Sequence, residues 1–152
     1  MNTDNLSVRA SIRIHKPAAV VFSAFADAEA MSQFWFTRRD DGLREGESVT
    51  WYLGTAHDAF AFDIEVLELR RDESIVIRWV GPDGNPTQVR WTFEETGEGD
   101  TILTIEETGF TGSPQAIVER VIDSTGGFNQ VIVAAKAFVE HGSAINVVAS
   151  HA

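Results

Sequence analysis

The spacing of apolar positions changes period twice along this chain. "SVRASIRI" (7–14) alternates small or apolar with polar residues, as a half-buried strand does. "HKPAAVVFSAFADAEAMSQFW" (15–35) moves to helical spacing. Pro17 suits a first helical turn, where its missing N–H costs little. Val20, Val21, Ala24 and Phe25 make an apolar stripe, and a second short helix is expected to carry Met31, Phe34 and Trp35.

After a turn at "DDGLREG" (40–46) the period returns to two. "ESVTWYL", "AFAFDIEVLEL", "SIVIRWV", "TQVRWTFEE" and "TILTIEE" are five further strands rich in β-branched and aromatic residues. The short connections "GTAHD", "RRDE", "GPDGNP" and "TGEGD" favour an antiparallel meander. The end is helical again. Ser113 caps "SPQAIVERVIDST", Gly126–Gly127 is expected to interrupt it, and "FNQVIVAAKAFVEHG" resumes with Phe128, Val131, Ile132, Ala135, Phe138 and Val139 on one side. Gly142 suits the C-cap. The tail 143–152 is apolar enough to pack, without a predicted place.

The whole chain, 1–152, therefore reads as one α+β domain. About six antiparallel strands form a curved sheet wrapped around a long C-terminal helix, with two short helices after the first strand. A sheet gripping a helix leaves room between them for a small molecule.

Composition removes several functions. There is no cysteine among the 152 residues, hence no disulfide, thiol nucleophile or thiolate metal site. A net charge of −11 with no basic cluster beyond pairs argues against nucleic acid and anionic lipid. No basic and apolar leader opens the sequence and no apolar run approaches the ~18–20 residues that span a bilayer. The expectation is a soluble, cytoplasmic protein that binds neither nucleic acid nor membrane.

Alternation sorts the strand residues into two faces. Phe60, Phe62 and Ile64, then Ile75, Ile77 and Trp79, then Val89, Trp91 and Phe93 should face the helix. Asp63, Glu65, Arg78, Arg90 and Glu106 should form cross-strand charge pairs on the outside, each worth about 0.2–1 kcal/mol. "TILTIEETGF" (101–110) breaks the pattern. Leu103 and Ile105 point inward, and the same period points Glu107 inward too. A buried carboxylate must pair, hold a water or favour its protonated form. The alternative is that the strand ends at Thr108–Gly109 and Glu107 is solvated.

The order of these patterns resembles the START-like (SRPBCC, birch-pollen-allergen-like) helix-grip superfamily. Within it the chain is most similar to homologues of the activator of the heat-shock-protein-ninety ATPase, from about Val8 to Gly142. The likeness rests on "IHKPAAVVF" (14–22), Trp35, "FDIEVLEL" (62–69), "LTIEETGF" (103–110) and the glycine–aromatic pair Gly127–Phe128. Family members usually carry Gly-Trp at the last of these, and many carry a histidine where this chain has Glu107.

The resemblance implies a ligand pocket between sheet and helix. Its candidate lining is Trp35, Trp51, Phe60, Phe62, Trp79, Trp91, Phe93, Glu107, Phe128, Ile132 and Ala135, with His57 at the mouth. The same aromatic residues equally suit a plain core. No catalytic residue, metal site or cofactor is assigned. The four histidines, His15, His57, His141 and His151, lack metal spacing, and no phosphate loop or G-x-S-x-G elbow occurs. Three functions remain in order: a domain binding a small apolar or aromatic molecule; a protein-interaction module acting on a chaperone; and a cyclase- or hydrolase-type enzyme using the same pocket, with Glu107 as its polar group. Pairing of two copies into a homodimer is compatible with each.

Overall fold

The computed structural model describes residues 3, 5–35, 38–39, 43–53, 60–80, 84–145 and 147. Strand β1 (Val8–Ile14) leads into helices α1 (Ala18–Ala26) and α2 (Ala28–Met31). Six strands follow, β2 (Arg38–Arg39), β3 (Ser48–Leu53), β4 (Phe60–Arg70), β5 (Ser74–Val80), β6 (Pro86–Glu95) and β7 (Thr101–Thr108), and then helix α3 (Pro114–His141). The sheet order is β1-β7-β6-β5-β4-β3-β2, with every pair antiparallel. This is the expected helix-grip α+β fold, with one addition. The two-residue β2 is too short for its period to show in sequence.

Other differences lie in β4, α3, α1 and the end of α2. Strict alternation along "EVLEL" would turn Glu68 inward and Leu69 outward. The register shifts between Val66 and Glu68, so Val66 opposes Ile77, Glu68 opposes Val76 and Leu69 opposes Ile75. One extra residue, Leu67, resets the phase, as a β-bulge does. Glu68 is thereby turned outward, where it meets Arg70 at 2.9 Å and Arg90 at 3.3 Å. Val76 lies on that outer face yet is only 4% exposed. Its register neighbours are Glu68 and Arg90, which form an ion pair with each other on that face. The expected outer pair of Arg78 and Glu65 is present at 3.9 Å.

Helix α3 runs unbroken through Gly126–Gly127, correcting the expected interruption. Its ends are well held, which offsets the two glycines. Ser113 Oγ accepts from the Ala116 N–H at 3.2 Å, Pro114 opens the helix, and Gly142 closes it at φ 68° with its N–H on the Phe138 carbonyl. The apolar stripe of α1 is Ala18, Val21, Phe22, Ala24 and Phe25, whereas Val20 is 45% exposed. Phe34 and Trp35 lie beyond the end of α2, in the turn that follows it, with both backbone N–H groups bonded to the Met31 carbonyl.

Helix α3 lies along β1 and against α1, while α1 also rests on β6 and β7. The Glu95 carboxylate at the end of β6 accepts from the Ala18 N–H at 3.0 Å, tying the start of α1 to the sheet. The enclosed layer holds Phe25, Phe34, Trp51, Trp91, Ile75, Ile77, Leu103 and Ile105, all essentially without solvent contact.

Candidate functional site

The inner face of β6 and β7 is where an apolar surface acquires polar groups. Period two places Thr87, Val89, Trp91 and Phe93 on one side of β6, and Thr101, Leu103, Ile105 and Glu107 on the facing side of β7. Strand β7 continues through Thr108, and Glu107 sits between Val8 of β1 and Val89 of β6. It is 1% exposed, so the inward aim read from alternation holds and the solvated strand end does not.

Two donors meet one of its oxygens. Thr87 Oγ1 donates to Glu107 Oε2 at 2.5 Å, and Trp79 Nε1 approaches the same oxygen at 3.0 Å and Thr87 Oγ1 at 2.8 Å. Thr87 is 2% exposed and lies directly opposite Trp79 across β5 and β6. Glu107 Oε1 is equally buried and makes no hydrogen bond among the described residues. The indole N–H of Trp91, two residue pairs along the β6–β7 ladder, also makes none. Thr87 was absent from the sequence-derived site, although extending the alternation of β6 back from Val89 by two residues finds it.

An aromatic layer centred on Trp35 lies beside these groups. Its ring lies 5.9 Å from Trp51, 6.2 Å from Trp79, 6.0 Å from Trp91 and 6.0 Å from Phe128. Trp79 stacks on Phe128 of α3 at 5.8 Å with planes 20° apart, and Phe62 lies 5.3 Å from Trp79 with planes 34° apart. The layer therefore spans from sheet to helix beside Glu107, and each ring pair adds about 0.5–1.5 kcal/mol beyond its buried area. Six sequence-derived candidates, Trp35, Trp51, Phe62, Trp79, Trp91 and Phe128, are brought together here with Glu107. Phe93 is further along, packed on Phe22 at 5.4 Å and Phe25 at 6.1 Å. Ile132 and Ala135 are buried on α3. His57 and the side chain of Phe60 lie outside the described residues.

A separate groove of about 520 Å³ opens along β3, β4 and β5, lined by Arg44, Glu47, Thr50, Asp63, Glu65 and Arg78 among others. None of the sequence-derived site residues among the described ones borders it, and its charges are partly matched, Arg78 by Glu65 and Arg44 by Glu47 at 4.0 Å. Among the described residues no group of three or more histidine, aspartate or glutamate side chains is placed to hold a metal ion. Among them, too, no helix is long and apolar enough to cross a membrane.

The family model described as Activator of Hsp90 ATPase homolog 1-like protein matches residues 15–140. Similar solved structures include the protein SSP2350 from Staphylococcus saprophyticus, 23% identical over 93% of this chain and 96% of that one, with a TM-score of 0.76. DynU16, from the dynemicin biosynthetic locus, is 22% identical over 91% of this chain, with a TM-score of 0.78; the match spans 48% of DynU16, about half its length. The Aha1 dimer from Colwellia psychrerythraea is 12% identical over 90% of this chain and 98% of that one, with a TM-score of 0.69. At such identities the likeness is one of fold. No curated protein sequence matches the chain.

Proposed function

The chain belongs to the Activator of Hsp90 ATPase homolog 1-like family, and from that premise we propose that it is a small-molecule-binding domain whose ligand sits between sheet and α3, beside Glu107. The observation that carries this reading is the Glu107 carboxylate itself. One oxygen is held by Thr87 and Trp79 and the other is buried without a hydrogen bond among the described residues. An apolar packing position has no use for a carboxylate, and an unmatched buried acceptor costs about 1–3 kcal/mol. A buried polar group without a partner calls for an explanation, and pockets for small molecules place a few polar groups among apolar walls. The aromatic layer supplies the apolar walls.

Native mass spectrometry of protein purified from its own host tests the reading. The expected result is a stoichiometric apolar or aromatic adduct, released on denaturation. An adduct-free mass, together with no tryptophan fluorescence response to naphthalene or to cyclohexanol at millimolar concentration, would overturn it.

A second reading is favoured by the family description, which names activation of the Hsp90 ATPase. On that reading the chain is an interaction module for a chaperone. Its net charge of −11 calls for a basic partner surface, so binding should weaken as salt rises. Titration with the chaperone at two ionic strengths separates the readings. The same mass spectrum tells monomer from homodimer, the latter being the assembly named for the Colwellia relative.

A further inference from the structure

We propose that the ligand is an aryl-alkyl amine whose protonated nitrogen binds Glu107 Oε1, a claim that rests on the small-molecule reading above and narrows it to one chemical class. The inference starts from charge. Both groups that hold Oε2, the Thr87 hydroxyl and the Trp79 indole N–H, are neutral donors. Among the described residues no lysine, arginine or histidine forms an ion pair with Glu107, and its nearest register neighbours are Val8 and Val89. An ionised carboxylate taken out of water with only neutral partners would carry an uncompensated charge, which is the costly arrangement. A hydroxyl would satisfy Oε1 as an acceptor and leave that charge in place. An ammonium would satisfy both.

The surroundings suit the same group. Trp79, whose N–H marks the carboxylate, stacks on Phe128, and Trp35 lies against both. Indole and phenyl faces attract cations most strongly when water is excluded. They also pack the aryl end of such a ligand. A carboxylate beside aromatic rings selects against anions by repulsion, against purely apolar ligands by leaving Oε1 unmatched, and against alcohols by leaving its charge uncompensated.

Three probes with one skeleton test the proposal: tryptamine, tryptophol and 3-propylindole, which end in an ammonium, a hydroxyl and a methyl group. Calorimetric titration of the full chain at pH 7 should give a dissociation constant for tryptamine at least about tenfold below those of the other two. In Glu107→Gln, which keeps shape and loses charge, that preference should collapse while 3-propylindole binds as before. The comparison among probes on the unaltered protein stands even where the variant folds poorly. Equal binding of tryptophol or 3-propylindole and tryptamine overturns the amine assignment and leaves the pocket standing. So does a preference that survives Glu107→Gln. Binding of none of the three at millimolar concentration overturns the pocket reading and the amine assignment together.

Discussion

Thr87 Oγ1 and Glu107 Oε2 lie 2.5 Å apart inside the apolar layer, a hydroxyl on β6 and a carboxylate on β7 joined across 20 residues of sequence. Their bond sets the orientation of the carboxylate and so decides which of its oxygens is left over. A double-mutant cycle measures its worth. Thr87→Val should destabilise the protein by about 1–3 kcal/mol in urea unfolding, because it strips a donor from a buried acceptor. In a Glu107→Leu background the same change should cost little, giving a coupling of about 1 kcal/mol or more. Equal costs in the two backgrounds would show that the pair is not coupled.

Trp35 touches three other tryptophans and Phe128, and it is 3% exposed. Trp35→Ala should therefore cost about 3–5 kcal/mol, the range for truncating a large buried ring. Trp35→Phe should cost distinctly less. Chemical denaturation monitored by circular dichroism reads both, and a loss under about 1 kcal/mol for the alanine variant would contradict the packing described.

Gly126 and Gly127 occupy helical positions where an added Cβ meets no atom within 4 Å. Replacing either by alanine should stabilise the protein by about 0.5–1 kcal/mol through helix propensity alone. A rise in unfolding temperature checks this. A fall would mean that the space beside mid-α3 must stay open.

Acid should loosen the seam between β1 and the end of α3. A hydrogen bond with His15 lowers the Asp100 carboxyl, burial pushes it back in part, and Arg13 lowers it again. Burial pushes the Glu140 carboxyl up, but Lys136 and the His15 backbone N–H outweigh it and hold it below the usual range. Lys136 also donates to the Arg13 carbonyl at 2.7 Å. Carboxyls with a lower pKa folded than unfolded stabilise fully above the unfolded value, about pH 4, and lose that contribution as pH falls through the folded one. Glu140→Gln should thus unfold on the order of 2–4 °C below the parent protein at pH 7, with the gap closing toward pH 3. A gap independent of pH would assign the loss to something other than this charge.

Much of the fold was legible because it rests on local periodicities. Alternation alone separated Val89, Trp91 and Phe93 from Arg90 and Glu94, and it aimed Glu107 inward. Ser113, Pro114 and Gly142 marked the ends of α3 for equally local reasons, since caps and left-handed turns depend on a few adjacent residues. Alternation failed at Leu67, because a bulge is settled by the register of the neighbouring strand and not by the strand that carries it. Gly126–Gly127 misled in the opposite sense. Their intrinsic cost is local, but packing of the buried stripe on either side outweighs it.

The site divides along the same line. The sequence by itself determined that a carboxylate and several large aromatic residues share one face, since side-chain direction in a strand follows from position in the alternation. Only the tertiary structure decided that Thr87 and Trp79 hold one oxygen of Glu107 and leave the other unmatched. That assignment depends on which strands become neighbours, on their register, and on how far α3 stands from the sheet. Those are properties of residues distant in the chain, and no period carries them.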